Sequence, residues 1–124
     1  MGDAGYIRLG NFNRGMAPDA VPEHGEVIVA IDRSNPVLGN RHAIGATRDP
    51  SARDRAIEAY RRDMDADFAI GGPMSGAVRE LAARVQAGER IIASCWCLPR
   101  PCHGAVILER VRQVCAELEA AACA

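Results

Sequence analysis

Residues 91–103 read Ile91-Ile92-Ala93-Ser94-Cys95-Trp96-Cys97-Leu98-Pro99-Arg100-Pro101-Cys102-His103. The first four are a short apolar run rich in β-branched side chains, the pattern of a strand covered on both faces. A sulfur-rich turn with two prolines follows. Beyond it Ile107, Val111, Val114, Cys115 and Leu118 recur with a helical period, which predicts a last helix from near Cys102 to about Ala120 with those residues on its inner face. A buried strand that passes through a reactive turn into a helix is the unit of an α/β layer, in which ligands bind beyond the carboxyl ends of the strands.

Working outward, residues 75–87 predict a second helix, with Val78, Leu81, Ala82 and Val85 buried and Gly88 as its stop. Asp49-Pro50 is a helix start, with Asp as N-cap and Pro at the first helical position. Ala52, Ala56, Tyr60 and Met64 follow at four-residue spacing, so a first helix is expected to about Asp65. Arg53, Arg55, Arg61 and Arg62 face mostly away from that stripe. Between the two helices, Gly71-Gly72-Pro73-Met74-Ser75-Gly76 looks like a phosphate-cradling turn. It lacks both a G-x-G-x-x-G pattern and a Walker lysine, so a flexible linker is the expectation there. Upstream, residues 27–31 form a continuous apolar run and read as another buried strand. Residues 6–9 alternate as a short first strand within an otherwise irregular segment spanning residues 1–25. Residues 120–124 form an Ala-rich tail expected to fray. The element order is strand, strand, helix, helix, strand, helix: one α/β domain over residues 1–124, two or three layers deep, with a mostly parallel sheet and about three helices.

Composition narrows the function. The chain has 124 residues, 48% hydrophobic and 25% charged, which suits one globular domain with its own core. Aromatic residues make up only 4%, so that core is aliphatic. No apolar run is long enough to span a bilayer and the first residues lack a signal-peptide core; a cytosolic protein is expected. A net charge of −1 argues against strong non-specific nucleic-acid binding. All fifteen basic residues are Arg, a bias that GC-rich codons explain more simply than selection for bidentate anion contacts. Five cysteines are an odd number, and clustered cysteines in such a setting mean metal binding or catalysis more often than cross-links.

Cys95, Cys97, Cys102 and His103 form the cluster. In an extended chain Cys95 and Cys97 point one way and Trp96 the other. Cys102 at a helix N-terminus sits where a thiolate is favoured. Three thiolates and an imidazole match the tetrahedral sulfur and nitrogen shell of zinc, with iron as the other candidate. Three ligands alone would leave a position open for catalysis. A metal-free alternative makes Cys102 an activated nucleophile or redox thiol. Adjacent helical side chains diverge, so that alternative expects the base from another His, either His24 or His42, rather than His103. The plain alternative is packing, since free Cys is often buried. The loop after residues 27–31 adds Arg33, Ser34, Asn35, Asn40 and Arg41, groups suited to a phosphate, ribose or base, although Asn and Gly in a loop also serve as turn formers.

With these residues in view, the sequence resembles a family of small phage and bacterial proteins, domain-of-unknown-function family 4326. Its pattern has a loop G-R-x-S-P-L-G-N-P-F, a helix with a Y-R core, and a closing C-W-C-x-P-x-P-C-H-G-D. The corresponding stretches here are residues 32–41, 56–62 and 95–105, within a resemblance over roughly residues 26–112. Three positions depart from the pattern: Asp32 stands for Gly, Arg41-His42 for Pro-Phe, and Ala105 for the acid. The resemblance implies where a site lies and assigns no reaction. The resulting expectation is a zinc-binding α/β domain acting on a nucleotide or nucleic-acid base. Cys102 and His103 are the catalytic candidates, and Arg33, Ser34, Asn35, Asn40 and Arg41 the ligand contacts. The alternatives are a structural-zinc module that binds a protein or nucleic-acid partner through residues 53–62, and a thiol enzyme using Cys102.

Overall fold

The computed structural model describes residues 5–12, 22, 23, 25–42, 49, 51–96 and 102–123. Cys97, His24, Pro50, Ala124 and the turn at 98–101 lie outside them, as does most of the irregular stretch before residue 25.

Three strands, β1 (Tyr6–Asn11), β2 (Val27–Ala30) and β3 (Arg90–Cys95), form a sheet ordered β1-β3-β2. Both pairings are parallel. β3 is central, and Ile91, Ile92, Ala93, Ser94 and Cys95 are all buried. Asn11 lies opposite Cys95 and Ala30 opposite Ser94. The ladders extend one residue further, through Phe12 N–H to Cys95 O at 3.0 Å and Ile31 N–H to Ser94 O at 2.9 Å. The three strands therefore end level with one another.

β2 corrects the sequence reading. It is an edge strand, not a buried one, and Val27 and Ile28 are 40% and 42% exposed. A short apolar run looks the same at the centre or at the edge of a sheet, and here β3 takes the centre. Residues 6–11 form a full strand, so the segment before residue 25 is not irregular throughout.

The helices are α1 (Ser51–Ile70), α2 (Pro73–Gln86) and α3 (Gly104–Cys123). Their buried residues, including Tyr60, Met64, Val78, Leu81, Val85, Ile107 and Val111, join Ile7, Ile91, Ala93 and Cys95 in one cluster on one face of the sheet. α1 runs five residues past the expected Asp65 because residues 66–70 carry no breaker. It stops at Gly71, whose φ of 63° is the left-handed cap conformation. Gly72 N–H reaches back to Asp67 O at 3.0 Å. The Asp67 carboxylate then accepts the N–H groups of Met74 and Ser75 at 3.1 and 2.6 Å. It caps α2 from the preceding helix, so the Gly71-Gly72-Pro73 stretch is a tight turn and not a flexible linker. α3 is helical through Cys123, three residues past the expected end near Ala120. Leu118 is 42% exposed and not on the inner face. Gln86, the last residue of α2, bonds Glu119 at 3.2 Å, so α3 outruns its packing partner. Among the described residues no helix is long and apolar enough to cross a membrane.

The opposite face of the sheet carries Ile92, fully buried, beside a polar lock. The Glu26 carboxylate accepts Tyr6 Oη at 2.5 Å, Arg8 Nε at 2.8 Å, Arg8 Nη2 at 3.0 Å and the Glu23 N–H at 2.9 Å. These donors, Arg8 foremost, hold its pKa down at about 2. A carboxylate with a depressed native pKa contributes stability above its unfolded value, near 4.5, and loses it as pH falls toward 2. Urea midpoints measured from pH 7 to pH 2 should drop steeply below 4.5. Glu26→Gln should start lower at pH 7 and show a shallower drop; an unchanged slope would show that Glu26 does not link the strands.

Candidate functional site

The loop after β2 is organised by Asn35. Its Nδ2 donates to Ala30 O at 3.0 Å, and its Oδ1 accepts Val37 and Leu38 N–H at 3.0 and 2.9 Å. Gly39 packs so closely that a Cβ there would stand 2.5 Å from Asp32 O and 2.7 Å from Asn35 O. Leu38 is buried, and its carbonyl accepts the Tyr60 hydroxyl at 2.7 Å. Burial pushes the Tyr60 pKa up, with the nearby Cys102 and Asp63 adding to the effect; it stays a neutral donor. The loop is thus pinned to both β2 and α1, with Arg33 and Ser34 exposed at its tip.

Across the sheet end, β3 delivers Cys95 and the start of α3 delivers Cys102 and His103, all three buried. The sulfurs of Cys95 and Cys102 are 2.9 Å apart, and Cys102 Sγ is 3.5 Å from His103 Nδ1. His103 Nε2 is 2.7 Å from Ile31 O. A carbonyl can only accept, so Nε2 carries a proton, and in the neutral ring Nδ1 turns its lone pair toward Cys102. This overturns the expectation that adjacent side chains diverge. Cys102 and His103 precede the first residue of α3, so helical geometry does not separate them. Gly104 N–H donates to Cys102 Sγ at 3.3 Å, placing the sulfur where the helix terminus favours a thiolate. Gly104 also marks how tightly α3 seats: a Cβ would come 2.6 Å from Leu9 Cδ2 and 2.9 Å from Ile31 Cδ1. The His103 ring meets Tyr60 edge-on at 4.9 Å.

A pocket of about 340 Å³ opens at the level strand ends. The β2 loop lines it with Asp32, Arg33, Ser34, Asn40 and His42, and the sulfur cluster with Cys95, Trp96 and His103. The two unusual loops therefore meet in one crevice. Arg41 faces elsewhere, into a second hollow with Asp63 and Asp67, and bonds Pro36 O at 3.1 Å. Asn35 is spent on the loop, and Cys102 is buried and does not line the pocket. Among the described residues no group of three or more His, Cys, Asp or Glu is arranged to hold a metal ion.

Sequence reasoning missed Asp32, Trp96 and Arg53 as pocket residues. Asp32 accepts Trp96 Nε1–H at 3.0 Å, Ser34 N–H at 3.1 Å and the Ser34 hydroxyl. Those bonds, led by the Ser34 hydroxyl, lower its pKa. Arg53 lines the pocket with Ala56 and Ile57; its i, i+3, i+4 spacing from them was a readable signal. His42 bonds Asp63 on α1 at 2.6 Å.

The loop's roles separate by mutation. Asn35→Ala removes three bonds and leaves partly buried backbone groups unpaired, so chemical unfolding should show a loss of about 2–4 kcal/mol. Arg33→Ala at the exposed tip should fall within about 0.5 kcal/mol of the parent. Equal losses from the two would contradict this division.

No curated protein and no solved structure matches the chain. A family model, described as Domain of unknown function (DUF4326), matches residues 19–113. That span takes in β2, β3, α1, α2, the pocket and the first half of α3, and begins after β1. The fold, the level strand ends and the cysteine–histidine turn accordingly describe a chain that belongs to the DUF4326 family.

Proposed function

We propose that the domain binds zinc through its cysteine–histidine cluster and acts on a nucleotide or nucleic-acid base held in the adjoining pocket. The observation that carries this reading is the shared lining: Cys95 and His103 face the same cavity as Arg33 and Asn40. The donor types suit zinc, with two touching thiols and an imidazole nitrogen turned toward them. His103 is oriented as a metal-binding histidine should be, with its far N–H given to a backbone carbonyl. The proposal assigns Cys97 as the further ligand. Bound by all four residues, zinc would hold the cysteine loop in place; with one of the four off the ion, the open position would let zinc make a water nucleophilic near neutral pH.

The chain's own residues do the rest. Arg33 has no ion pair with any described residue and takes an anionic group. Arg53 reaches the same cavity from α1. Asn40 Oδ1 accepts the His42 N–H at 2.9 Å, which leaves its amide N–H groups to orient the ligand. The partner-binding alternative through residues 53–62 is weakened by local pairing: Arg55 bonds Asp49 at 3.1 Å, and Arg61 bonds Glu58 at 3.4 Å and also Glu109.

One observation favours a second reading, a metal-free thiol centre: the Nδ1 lone pair of His103 faces Cys102 Sγ. Metal analysis of protein purified without chelators separates the two. About one zinc or iron per chain, lost in Cys95→Ser and His103→Ala, is the expected result, and it also distinguishes the ions. No stoichiometric metal, together with rapid alkylation of Cys102 that slows in His103→Ala, would replace zinc with thiol chemistry.

A further inference from the structure

Trp96 is the chain's single tryptophan, and it is 55% exposed although it lies beside a fully formed core. It is nevertheless tied down. Its Nε1–H donates to Asp32 at 3.0 Å, and the Phe12 ring lies against it at 5.2 Å, tilted by 38°. Asp32 is itself fixed by the Ser34 N–H and hydroxyl. Phe12 follows β1, Asp32 follows β2 and Trp96 follows β3. One indole therefore gathers the ends of all three strands while keeping more than half of its surface in water on the pocket wall.

An immobilised aromatic ring with free π surface suits stacking by another flat ring, and little ordering entropy is left to lose on binding. The same cavity offers the guanidiniums of Arg33 and Arg53 and the Asn40 amide. Its volume of about 340 Å³ is at the lower end for small-molecule sites, and it suits one nucleotide better than a dinucleotide. We infer that the pocket takes a single nucleoside monophosphate, its base stacked on Trp96 and its phosphate toward Arg33 and Arg53, with Asp32 as the residue that positions the indole. This rests on the nucleotide reading of the site and narrows it.

The lone tryptophan makes the test direct. The full chain is titrated with AMP, UMP, ribose 5-phosphate and inorganic phosphate, followed by Trp96 fluorescence and by calorimetry. AMP and UMP should quench the emission and bind at least roughly tenfold more tightly than ribose 5-phosphate, which lacks the ring. Trp96→Ala should weaken nucleotide binding roughly 5- to 150-fold and leave ribose 5-phosphate unchanged. If that variant does not fold, Trp96→Phe keeps a smaller ring without the N–H and should weaken nucleotides roughly three- to tenfold. Asp32→Ala should lower Trp96 anisotropy and nucleotide affinity together, again sparing ribose 5-phosphate. Equal affinity for AMP and ribose 5-phosphate would overturn the stacking inference while leaving an anion site in place. Binding of none of the four would overturn both the inference and the nucleotide reading beneath it.

Discussion

A strand buried on both faces must pair every backbone group with protein, and for β3 that requires a neighbour on each edge. β1 and β2 meet the requirement in parallel and in a register that brings Asn11, Ala30 and the end of β3 to one level. Everything of chemical interest follows from that alignment. Side chains that leave three strand ends at one height have to share a crevice. Parallel connections cannot be tight hairpins, so each end continues into a loop long enough to carry polar groups. The loop after β2 is one of them.

His103 turns the shared crevice into a defined site. Its Nε2–H to Ile31 O bond joins the first residue past β2 to the residue just before α3. Any shift of α3 against the sheet would break it and leave a buried imidazole N–H unpaired, at a cost of about 1–3 kcal/mol. Gly104 lets the helix come close enough for the bond to form. One contact thus fixes the seating of α3, the tautomer of His103 and the direction in which Nδ1 presents its lone pair. Cys95 is the last residue of the central strand and Cys102 stands two residues before α3, so rigid elements flank the two sulfurs.

Local pattern made much of this legible. The spacing of Ala56, Tyr60 and Met64 and of Val78, Leu81 and Val85 names the buried helix faces found in the structure. The run 91–94 reads as a buried strand, and β3 is the central one. Pattern fails where the deciding fact is a distant neighbour. Whether residues 27–30 sit at the centre or the edge depends on β3, some 60 residues later. The role of Asp32 depends on Trp96, 64 positions away. The Cys102–His103 contact is hidden from pattern for a different reason: both residues precede α3, so the divergence of neighbouring helical side chains does not apply to them. Asn35 has the composition of a ligand contact, but only its three loop bonds reveal its structural work.

The three departures from the resembled family pattern divide by position. Ala105 stands where that pattern has an acid, and it is exposed in the first turn of α3, outside the pocket. A carboxylate there would chiefly meet the positive end of the helix dipole, worth about 0.3–1 kcal/mol. Its replacement by Ala therefore removes a modest helix contribution and no group that faces the cavity. Asp32 and His42 both line the cavity. Asp32 brings a carboxylate that orients the indole, and His42 brings an imidazole anchored to α1 through Asp63. Of the departing residues, Asp32 and His42 thus lie on the pocket wall while Arg41 and Ala105 lie off it, and Cys95, Cys102 and His103 keep the residue types of the pattern.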